Sequence, residues 1–196
     1  MGKIYCLMGK SSSGKDTIYK KLLERLPDRF KTIISYTTRP IRDGEKDGVE
    51  YFFRTVPEFL QLEKDGKIIE SRVYHTVHGD WYYFTADDGQ IELSKYDYIL
   101  IMTPEGCLSL KKYFGNERIM PIYIEVEPGL RLARAVERER RQHTPKYAEL
   151  CRRFLADEQD FSEERLKELD ICKRYQNEDI DTCIGEILAD ILPEDR

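Results

Sequence analysis

Short apolar runs alternate with amphipathic segments along the chain. Residues 4–8 form a continuous apolar run, which is typical of a strand buried on both faces. A turn rich in glycine and serine follows, and in residues 15–26 the apolar positions 18, 22, 23 and 26 recur at helical spacing. This opening segment therefore predicts a strand, a loop and a helix in immediate succession.

Further segments of both kinds fill the rest of the chain. Strands are predicted at residues 32–35, 51–53, 68–74, 82–85, 98–102, 119–126 and 171–175. Helices are predicted at residues 57–64, 105–113, 129–141, 147–169 and 180–192. Because helical patterns flank several of the strands, we expect an α/β fold in which helices cover both faces of a mainly parallel sheet. Between residues 32 and 85 strands outnumber helices, which predicts a small, partly antiparallel insertion.

Length, net charge and the lengths of the apolar runs indicate which class of protein to expect. A length of 196 residues suits a single domain with one buried core. The formal net charge of −5 disfavours a nucleic-acid partner. No apolar run approaches the ~20 residues of a membrane helix, and the N-terminal segment lacks the features of a secretory signal. We therefore expect a cytoplasmic protein with neither a nucleic-acid nor a membrane partner; the sequence favours no particular oligomeric state.

Cysteine and histidine positions give no sign of a disulfide framework or a zinc site. The five cysteines are odd in number and include no C-x-x-C pair, which favours reduced thiols. His75 and His78 form H-x-x-H without a supporting carboxylate or cysteine pattern. Because side chains three apart on a strand point to opposite faces, we do not expect these histidines to bind zinc.

The loop after the first predicted strand fits the G-x-x-x-x-G-K pattern of a phosphate-binding loop. Its glycines let backbone N–H groups turn toward phosphate oxygens, the helix N-terminus adds positive potential, and Lys15 brings a cation to the outer phosphates. With the parallel sheet, this loop predicts a P-loop NTPase-type fold; a flexible turn before a helix is the alternative. The predicted phosphate-binding residues are Gly9, Ser11, Ser12, Ser13, Gly14, Lys15, Asp16 and Thr17.

The residue after Lys15 departs from the common pattern. Serine or threonine usually stands there and binds Mg²⁺ through its hydroxyl, whereas this chain has Asp16, with Thr17 one position later. A carboxylate beside phosphates is repelled unless Mg²⁺ lies between them. Asp16 and Thr17 are therefore candidate Mg²⁺ ligands. For Asp16, weakened nucleotide binding and a helix-start acid favoured by the dipole are the alternatives.

Residues 35–53 carry a more specific motif, Ser-Tyr-Thr-Thr-Arg-Pro-Ile-Arg-Asp-Gly-Glu-Lys-Asp-Gly-Val-Glu-Tyr-Phe-Phe. Arg39 and Arg42 can offer bidentate donors to one phosphate monoester, and Tyr51 can add a hydroxyl. The segment closely resembles the GMP-binding segment of guanylate kinases, S-x-T-T-R-x-x-R-x-G-E-x-x-G-x-x-Y-x-F. This resemblance implies that Ser35, Arg39, Arg42 and Tyr51 bind GMP. A basic loop that leads into a hairpin is the alternative.

The resemblance to guanylate kinases continues downstream. Residues 66–70, Gly-Lys-Ile-Ile-Glu, are similar to the family's G-x-F-[LI]-E, whose glutamate accepts hydrogen bonds from guanine N1–H and the 2-amino group. Such a carboxylate at Glu70 would favour guanine over adenine, which has no donor at N1. Residues 82–85 are similar to Y-Y-G-[ST], which implies that Tyr83 reaches the GMP phosphate and Thr85 contacts the base. Phe84 stands where the family has glycine.

Three further segments resemble the family's lid and adenine site. Residues 134–138, Arg-Ala-Val-Glu-Arg, are similar to R-L-x-x-R with alanine at the leucine position, and residues 152–154 are similar to R-R-L. In the family these arginines close over the transferring group and offset its charge. A solvated helix with ion pairs is the alternative for this region. Residues 170–181 resemble the segment beside adenine, with a plain turn as the alternative. The resemblance implies Lys15, Arg42, Arg138 and Arg152 as catalytic residues, and Arg134 and Asn177 as ATP contacts.

Two acids of the family pattern are missing. Guanylate kinases end a central strand with I-L-D-I-D-x-Q-G, whereas this chain has Ile101 and Thr103 at the two aspartate positions, which in the family lie near Mg²⁺ and the nucleotides. We hypothesise that Asp16 restores a carboxylate to the Mg²⁺ sphere. Three other acids near the expected site are equally well explained as helix-start or turn residues, namely Asp87, Asp88 and Glu105.

The resemblance covers nearly the whole chain and implies one guanylate kinase-like domain over residues 1–196. Its core would comprise about 1–34, 86–130 and 170–196, its GMP-binding insertion about 35–85 and its helical lid about 131–160. The implied reaction transfers the γ-phosphoryl group of ATP to GMP with Mg²⁺, giving GDP and ADP. A catalytically weak or inactive guanylate-kinase-like binding module, and a kinase for another small acceptor, are the alternatives.

Overall fold

Two sheets and seven α-helices make up most of the part of the chain that the computed structural model describes, residues 2–42, 44–76, 79–171 and 173–192. His78 and Cys172, which the sequence analysis considered, lie outside these ranges. The strands are β1 (Ile4–Gly9), β2 (Phe30–Thr32), β3 (Tyr36–Thr37), β4 (Phe52–Phe53), β5 (Ile68–Thr76), β6 (Gly79–Ala86), β7 (Asp97–Ile101), β8 (Ile119–Glu125) and β9 (Arg174–Gln176). The helices are α1 (Lys15–Arg25), α2 (Val56–Lys64), α3 (Pro104–Phe114), α4 (Pro128–Arg140), α5 (Tyr147–Asp160), α6 (Glu163–Glu168) and α7 (Ile180–Ile191).

The larger sheet has the strand order β2-β7-β1-β8-β9, and each of its neighbouring pairs is parallel. Its central strand β1 is buried along its whole length, as its continuous apolar run predicts. Alternate residues of β1 enter two separate cores, one packed against α3 and α6 and the other against α1 and α7. This confirms the predicted α/β fold with helices on both faces of a parallel sheet. No helix of the described residues is long and apolar enough to cross a membrane.

The smaller sheet has the order β4-β3-β6-β5 and mixes parallel and antiparallel pairs. Its apolar face packs on Phe59 of α2. Phe84, at the position where guanylate kinases have glycine, is fully buried between Tyr36 and Phe59, with ring centroids 5.1 and 5.0 Å away. The side chain at this position therefore fills the core of the insertion.

Three predicted elements differ clearly from the structure. Of the strand predicted at residues 32–35, only residue 32 lies in β2, and residues 33–35 join β2 to β3, which belong to different sheets. The strand predicted at residues 171–175 is β9, which begins later, at Arg174. The single helix predicted at residues 147–169 is divided into α5 and α6. Phe161 breaks it by stacking on Tyr123 of β8 at 5.7 Å, and Ser162 adopts extended backbone as the N-cap of α6. Tertiary packing thus outweighs the continuous helical pattern.

We expect Phe84→Ala to lower the free energy of unfolding by about 3–5 kcal/mol, because it removes a fully buried ring from the small core. Urea unfolding would measure the change. Leu60→Ala in α2 is the matched control, since Leu60 is 50% exposed and its loss should cost no more than about 0.5 kcal/mol. Equal unfolding midpoints for the two variants would contradict the assigned packing.

Candidate nucleotide-binding site

The phosphate-binding loop joins β1 to α1 at the carboxyl edge of the parallel sheet. It turns through two residues of positive φ, Ser12 at 64° and Gly14 at 85°, and the Ser13 N–H donates to the Lys10 carbonyl at 3.1 Å. Helix α1 begins directly afterwards at Lys15. The loop's backbone and the amino end of α1 therefore meet at one point, as an anion-binding loop requires.

Asn177 lies beneath this loop rather than on its open side. Its side chain is buried, and its Nδ2 donates to the Ser13 carbonyl at 2.7 Å. A Cβ atom added to Gly14 would lie 2.3 Å from the same Nδ2. The ATP contact that the resemblance implies for Asn177 stays a prediction, and in the structure the Asn177 amide supports the loop. The Arg134 guanidinium also faces this segment, donating to the carbonyls of Asn177 and Glu178 at 2.8 and 3.2 Å.

A buried arginine connects the loop to helices α4 and α5, the segment that the sequence predicts as the lid. Arg131 of α4 is 1% exposed, and its guanidinium lies over the Phe154 ring at 3.8 Å. It donates to the Ser11 carbonyl at 3.3 Å, to Asp157 at 3.2 Å and to Glu158 at 2.5 Å. Asp157 in turn accepts from the Ser11 N–H at 2.8 Å. A carboxylate of α5 therefore occupies one N–H donor of the phosphate loop.

Neither Arg131 nor Asp157 was predicted from the sequence. A signal was present for the arginine, because Arg131, Ala135 and Glu139 are spaced four residues apart and form the buried face of α4. Two charged residues on the buried stripe of a helix indicate a polar partner inside the fold. Asp157 carried no comparable signal, because its partners lie 26 and 146 residues away in the chain.

Several buried polar atoms beside the loop have no hydrogen-bond partner among the described residues. These atoms are the hydroxyl oxygens of Ser12 and Ser13, Nε of Arg153 and Oδ1 of Asn177. Buried polar groups are usually satisfied, so a cluster of unsatisfied ones indicates that something else completes it. Hydroxyl and guanidinium donors beside a phosphate loop suit an anionic ligand. The three donors among these atoms, the two serine hydroxyls and Arg153 Nε, fit the phosphates of a nucleotide, whereas Asn177 Oδ1 is an acceptor.

The two candidate metal ligands are exposed at the start of α1. The carboxylate of Asp16 lies 3.7 Å from the Lys15 ammonium, and Thr17 is exposed beside it. The described residues include no group of three or more His, Cys, Asp or Glu that could hold a metal by themselves. Mg²⁺ commonly takes only one or two protein ligands and completes its shell with water and substrate phosphates. The exposed carboxylate of Asp16 fits that kind of site.

The second predicted phosphate site is organised around Arg39. This side chain is 4% exposed and forms two hydrogen bonds with Glu45, at 2.6 and 2.7 Å. The Arg39 hydrogen bonds lower the pKa of the Glu45 carboxyl to about 2. The Arg39 guanidinium also lies 5.3 Å from the centre of the Tyr51 ring. Arg42 is exposed and contributes its backbone N–H to Glu45, at 2.8 Å.

Glu70 and Thr85 face each other on β5 and β6. The Thr85 hydroxyl is fully buried and donates to Glu70 Oε1 at 2.8 Å, which fixes the orientation of the carboxylate. Burial raises the pKa of Glu70, and the Thr85 hydrogen bond partly opposes that rise. The sequence implied that Thr85 contacts the base. In the structure, the Thr85 hydroxyl donates to Glu70, the carboxylate that was also predicted to contact the base, and a base contact by Thr85 itself stays a prediction.

One cleft of about 730 Å³ brings much of the predicted site together. The predicted residues that line it are Gly9, Ser11, Lys15, Ser35, Tyr51, Glu70, Tyr83 and Arg152. Other predicted residues lie outside its lining, namely Ser12, Ser13, Gly14, Asp16, Thr17, Arg39, Arg42, Thr85, Arg134, Arg138 and Asn177. Of these, Arg138 is exposed and lines a separate small cavity with Ser12 and Arg153. The cleft also has acidic lid residues on its wall, Asp157 and Asp160.

A P-loop at the carboxyl edge of a parallel sheet, sharing a cleft with a separate four-stranded sheet, is typical of a P-loop nucleotide kinase fold. The family model described as guanylate kinase matches residues 1–184. The chain therefore belongs to the guanylate kinase family, and the predicted family and class of enzyme are confirmed.

Individual relatives agree with this assignment. The guanylate kinase of Thermotoga maritima is 32% identical over 177 residues, which cover 90% of this chain and 71% of the relative. That of Oceanobacillus iheyensis is 38% identical over 117 residues, covering 58% of this chain and 53% of the relative. A crystal structure of guanylate kinase from Anaplasma phagocytophilum matches with a TM-score of 0.57 and 26% identity, covering 95% of this chain and 82% of that chain.

We expect Gly14→Ala to weaken ADP binding at least about tenfold, because its new Cβ would strain the loop and displace the Asn177 amide. Calorimetric titration would measure the affinity. Gly89→Ala is the matched control: Gly89 has nearly the same φ, 86°, but a Cβ atom added there would have no neighbour within 4 Å. Both variants carry backbone strain of about 1–2 kcal/mol. Equal ADP affinity in the two would contradict the role given to the Asn177 contact.

Proposed function

We propose that this protein transfers the γ-phosphoryl group of ATP to GMP, giving ADP and GDP. The observation that supports this most directly is the single cleft in which Lys15 of the phosphate loop faces Tyr51 and Glu70 of the insertion. Phosphoryl transfer depends mainly on positioning two substrates and on stabilising charge. A cleft with a donor site on one wall and an acceptor site on the other meets that requirement.

On the donor side, the phosphate loop holds the ATP phosphates. Lys15 supplies a mobile cation, and the amides of the loop supply fixed donors at the amino end of α1. The Ser11 N–H becomes available when the Asp157 carboxylate moves away from it. Repulsion between that carboxylate and the ATP phosphates favours the movement.

On the acceptor side, Arg39, Tyr51 and Tyr83 hold the GMP phosphate, assisted by Ser35 and Arg42. The Tyr51 and Tyr83 rings meet edge to face at 5.6 Å, which fixes the direction of the two phenols. Glu70, oriented by Thr85, accepts from guanine N1–H and the 2-amino group. Because a phosphate oxygen of GMP is itself the nucleophile, the reaction needs no protein nucleophile.

The lid supplies further positive charge around the transferred group. Arg152 and Arg153 line the cleft from α5, and Arg138 lies on α4. The Arg152 guanidinium is held by Glu149 at 2.7 and 2.8 Å, so its reorientation toward phosphate requires that pair to open. Lid closure over the bound nucleotides would bring the arginines to the reacting oxygens and exclude water.

Mg²⁺ fits the donor site as a metal held largely by the nucleotide. Asp16 and Thr17 are the residues that would hold it, directly or through water. When bound, Mg²⁺ neutralises charge on the β- and γ-phosphates.

The test of the proposed function is a coupled ADP-release assay with ATP and a panel of nucleoside monophosphates. We expect turnover with GMP and a much lower kcat/KM with AMP. Adenine N1 carries no hydrogen, so it cannot donate to the Glu70 carboxylate. Lys15→Ala should lower kcat at least about a hundredfold, since it removes the cation at the outer phosphates. Lys20→Ala, an exposed lysine of the same helix, is the control.

The two alternative functions give different outcomes in this assay. Absence of turnover with every acceptor would eliminate the kinase and leave a binding module. Preference for an acceptor without guanine would eliminate the GMP assignment while keeping phosphoryl transfer.

We expect Asp16→Ser to raise the Mg²⁺ concentration needed for half-maximal rate, or to lower kcat, although it restores the commoner loop sequence. The reason is the loss of the exposed carboxylate beside Lys15. A Mg²⁺ titration of the initial rate would measure the effect. Glu24→Ser removes an exposed carboxylate elsewhere on α1 and serves as the control. An unchanged Mg²⁺ dependence in Asp16→Ser would contradict a metal role for this residue, and a lower kcat supports that role only where the Mg²⁺ dependence also shifts.

A further inference from the structure

An arginine absent from the predicted site lies beside Glu70. Arg72 is two residues further along β5, and the side chains of both residues line the cleft. Residues two apart on a strand project from the same face of the sheet. We call the part of the cleft lined by Glu70, Arg72 and Thr103 the base pocket.

The guanidinium of Arg72 is held at the side of the base pocket that Thr103 lines. Its Nη2 donates to the Thr103 hydroxyl at 2.7 Å and lies 3.7 Å from a carboxylate oxygen of Glu105. Thr103 is the N-cap of α3, where its hydroxyl also accepts from the Gly106 N–H at 3.3 Å. The guanidinium is thus held by a rigid element of the core while its side chain remains 29% exposed to the cleft.

The base pocket therefore presents an anion and a cation side by side. The Thr85 hydroxyl donates to the Glu70 carboxylate and orients it. The proton of this hydroxyl is therefore already used in a hydrogen bond. The edge of guanine has the matching order of groups, with donors at N1 and the 2-amino group and acceptors at O6 and N7. A planar guanidinium is the side chain that most often donates to guanine O6 and N7.

We propose that Arg72 determines base specificity by donating to the carbonyl oxygen at position 6 of the acceptor purine, next to the N1–H bound by Glu70. This inference rests on the proposed function and extends it to the substrate class, 6-oxopurine monophosphates. Adenine is disfavoured twice, because it has an acceptor at N1 facing Glu70 and an amino group at position 6 facing Arg72. Inosine monophosphate shares the 6-oxo group but lacks the 2-amino group, so it tests Arg72 separately from the second Glu70 contact.

The test compares kcat and KM for GMP, inosine monophosphate and AMP in the wild type, Arg72→Ala and Arg72→Lys. We expect Arg72→Ala to lower kcat/KM for both 6-oxopurines about 10- to 100-fold, mainly through KM, and to leave AMP unchanged or improved. Arg72→Lys should recover part of the loss. Lys64→Ala, an exposed lysine at the end of α2 in the same insertion, controls for the change in charge.

Equal losses with all three acceptors would overturn the inference, because they would indicate a phosphate or structural role for Arg72. Unchanged kcat/KM would overturn it as well. Calorimetric binding of GMP and AMP to the same proteins keeps the test independent of turnover. If the wild type phosphorylates no acceptor, the proposed kinase function fails, whereas a loss of GMP-over-AMP binding preference in Arg72→Ala would still support the inference.

Discussion

The shape of the phosphate loop depends on one hydrogen bond between residues 164 positions apart, from the Asn177 amide to the Ser13 carbonyl. The loop turns at Gly14 with a φ of 85°, and no side chain fits there because the Asn177 amide occupies the space. Asn177 follows the edge strand β9, which pairs with β8. The donor site is therefore built jointly by the first loop of the chain and by the last strand of the parallel sheet.

Ion pairs around the cleft explain how a chain with a net negative charge can bind small anions. The net charge is −5, yet arginines lie beside the phosphate loop and in the acceptor site that we propose, with carboxylate partners already in place. Arg39 is held by Glu45, Arg131 by Asp157 and Glu158, and Arg152 by Glu149. Partners hold the buried arginines in fixed positions and lower the cost of desolvating them. When a substrate phosphate replaces such a carboxylate, it pairs with an arginine that is already held in position.

Most predictions about the fold and the site came from motifs that are contiguous in the sequence. The strand, loop and helix of residues 4–25 are local in sequence, so periodicity and the G-x-x-x-x-G-K pattern predicted them. The acceptor residues of 35–53 also form one local segment, and the resemblance to guanylate kinases implied their role. The break at Phe161 could not be predicted, because it depends on stacking against Tyr123. The supporting role of Asn177 and the links from Asp157 to Ser11 and from Arg72 to Thr103 also escaped prediction. Each joins residues at least 31 positions apart, and no local pattern encodes such a contact.

We propose that one cleft holds donor and acceptor phosphates in line between the phosphate loop and the insertion. Calorimetric titration with a ligand that joins adenosine and guanosine through five phosphates tests this directly, because only a continuous cleft can bind both ends at once. We expect one site per chain and a Kd well below those of ATP and GMP alone, and we expect Lys15→Ala and Arg39→Ala each to abolish this gain in affinity. Affinity no better than that of the tighter single nucleotide would contradict it.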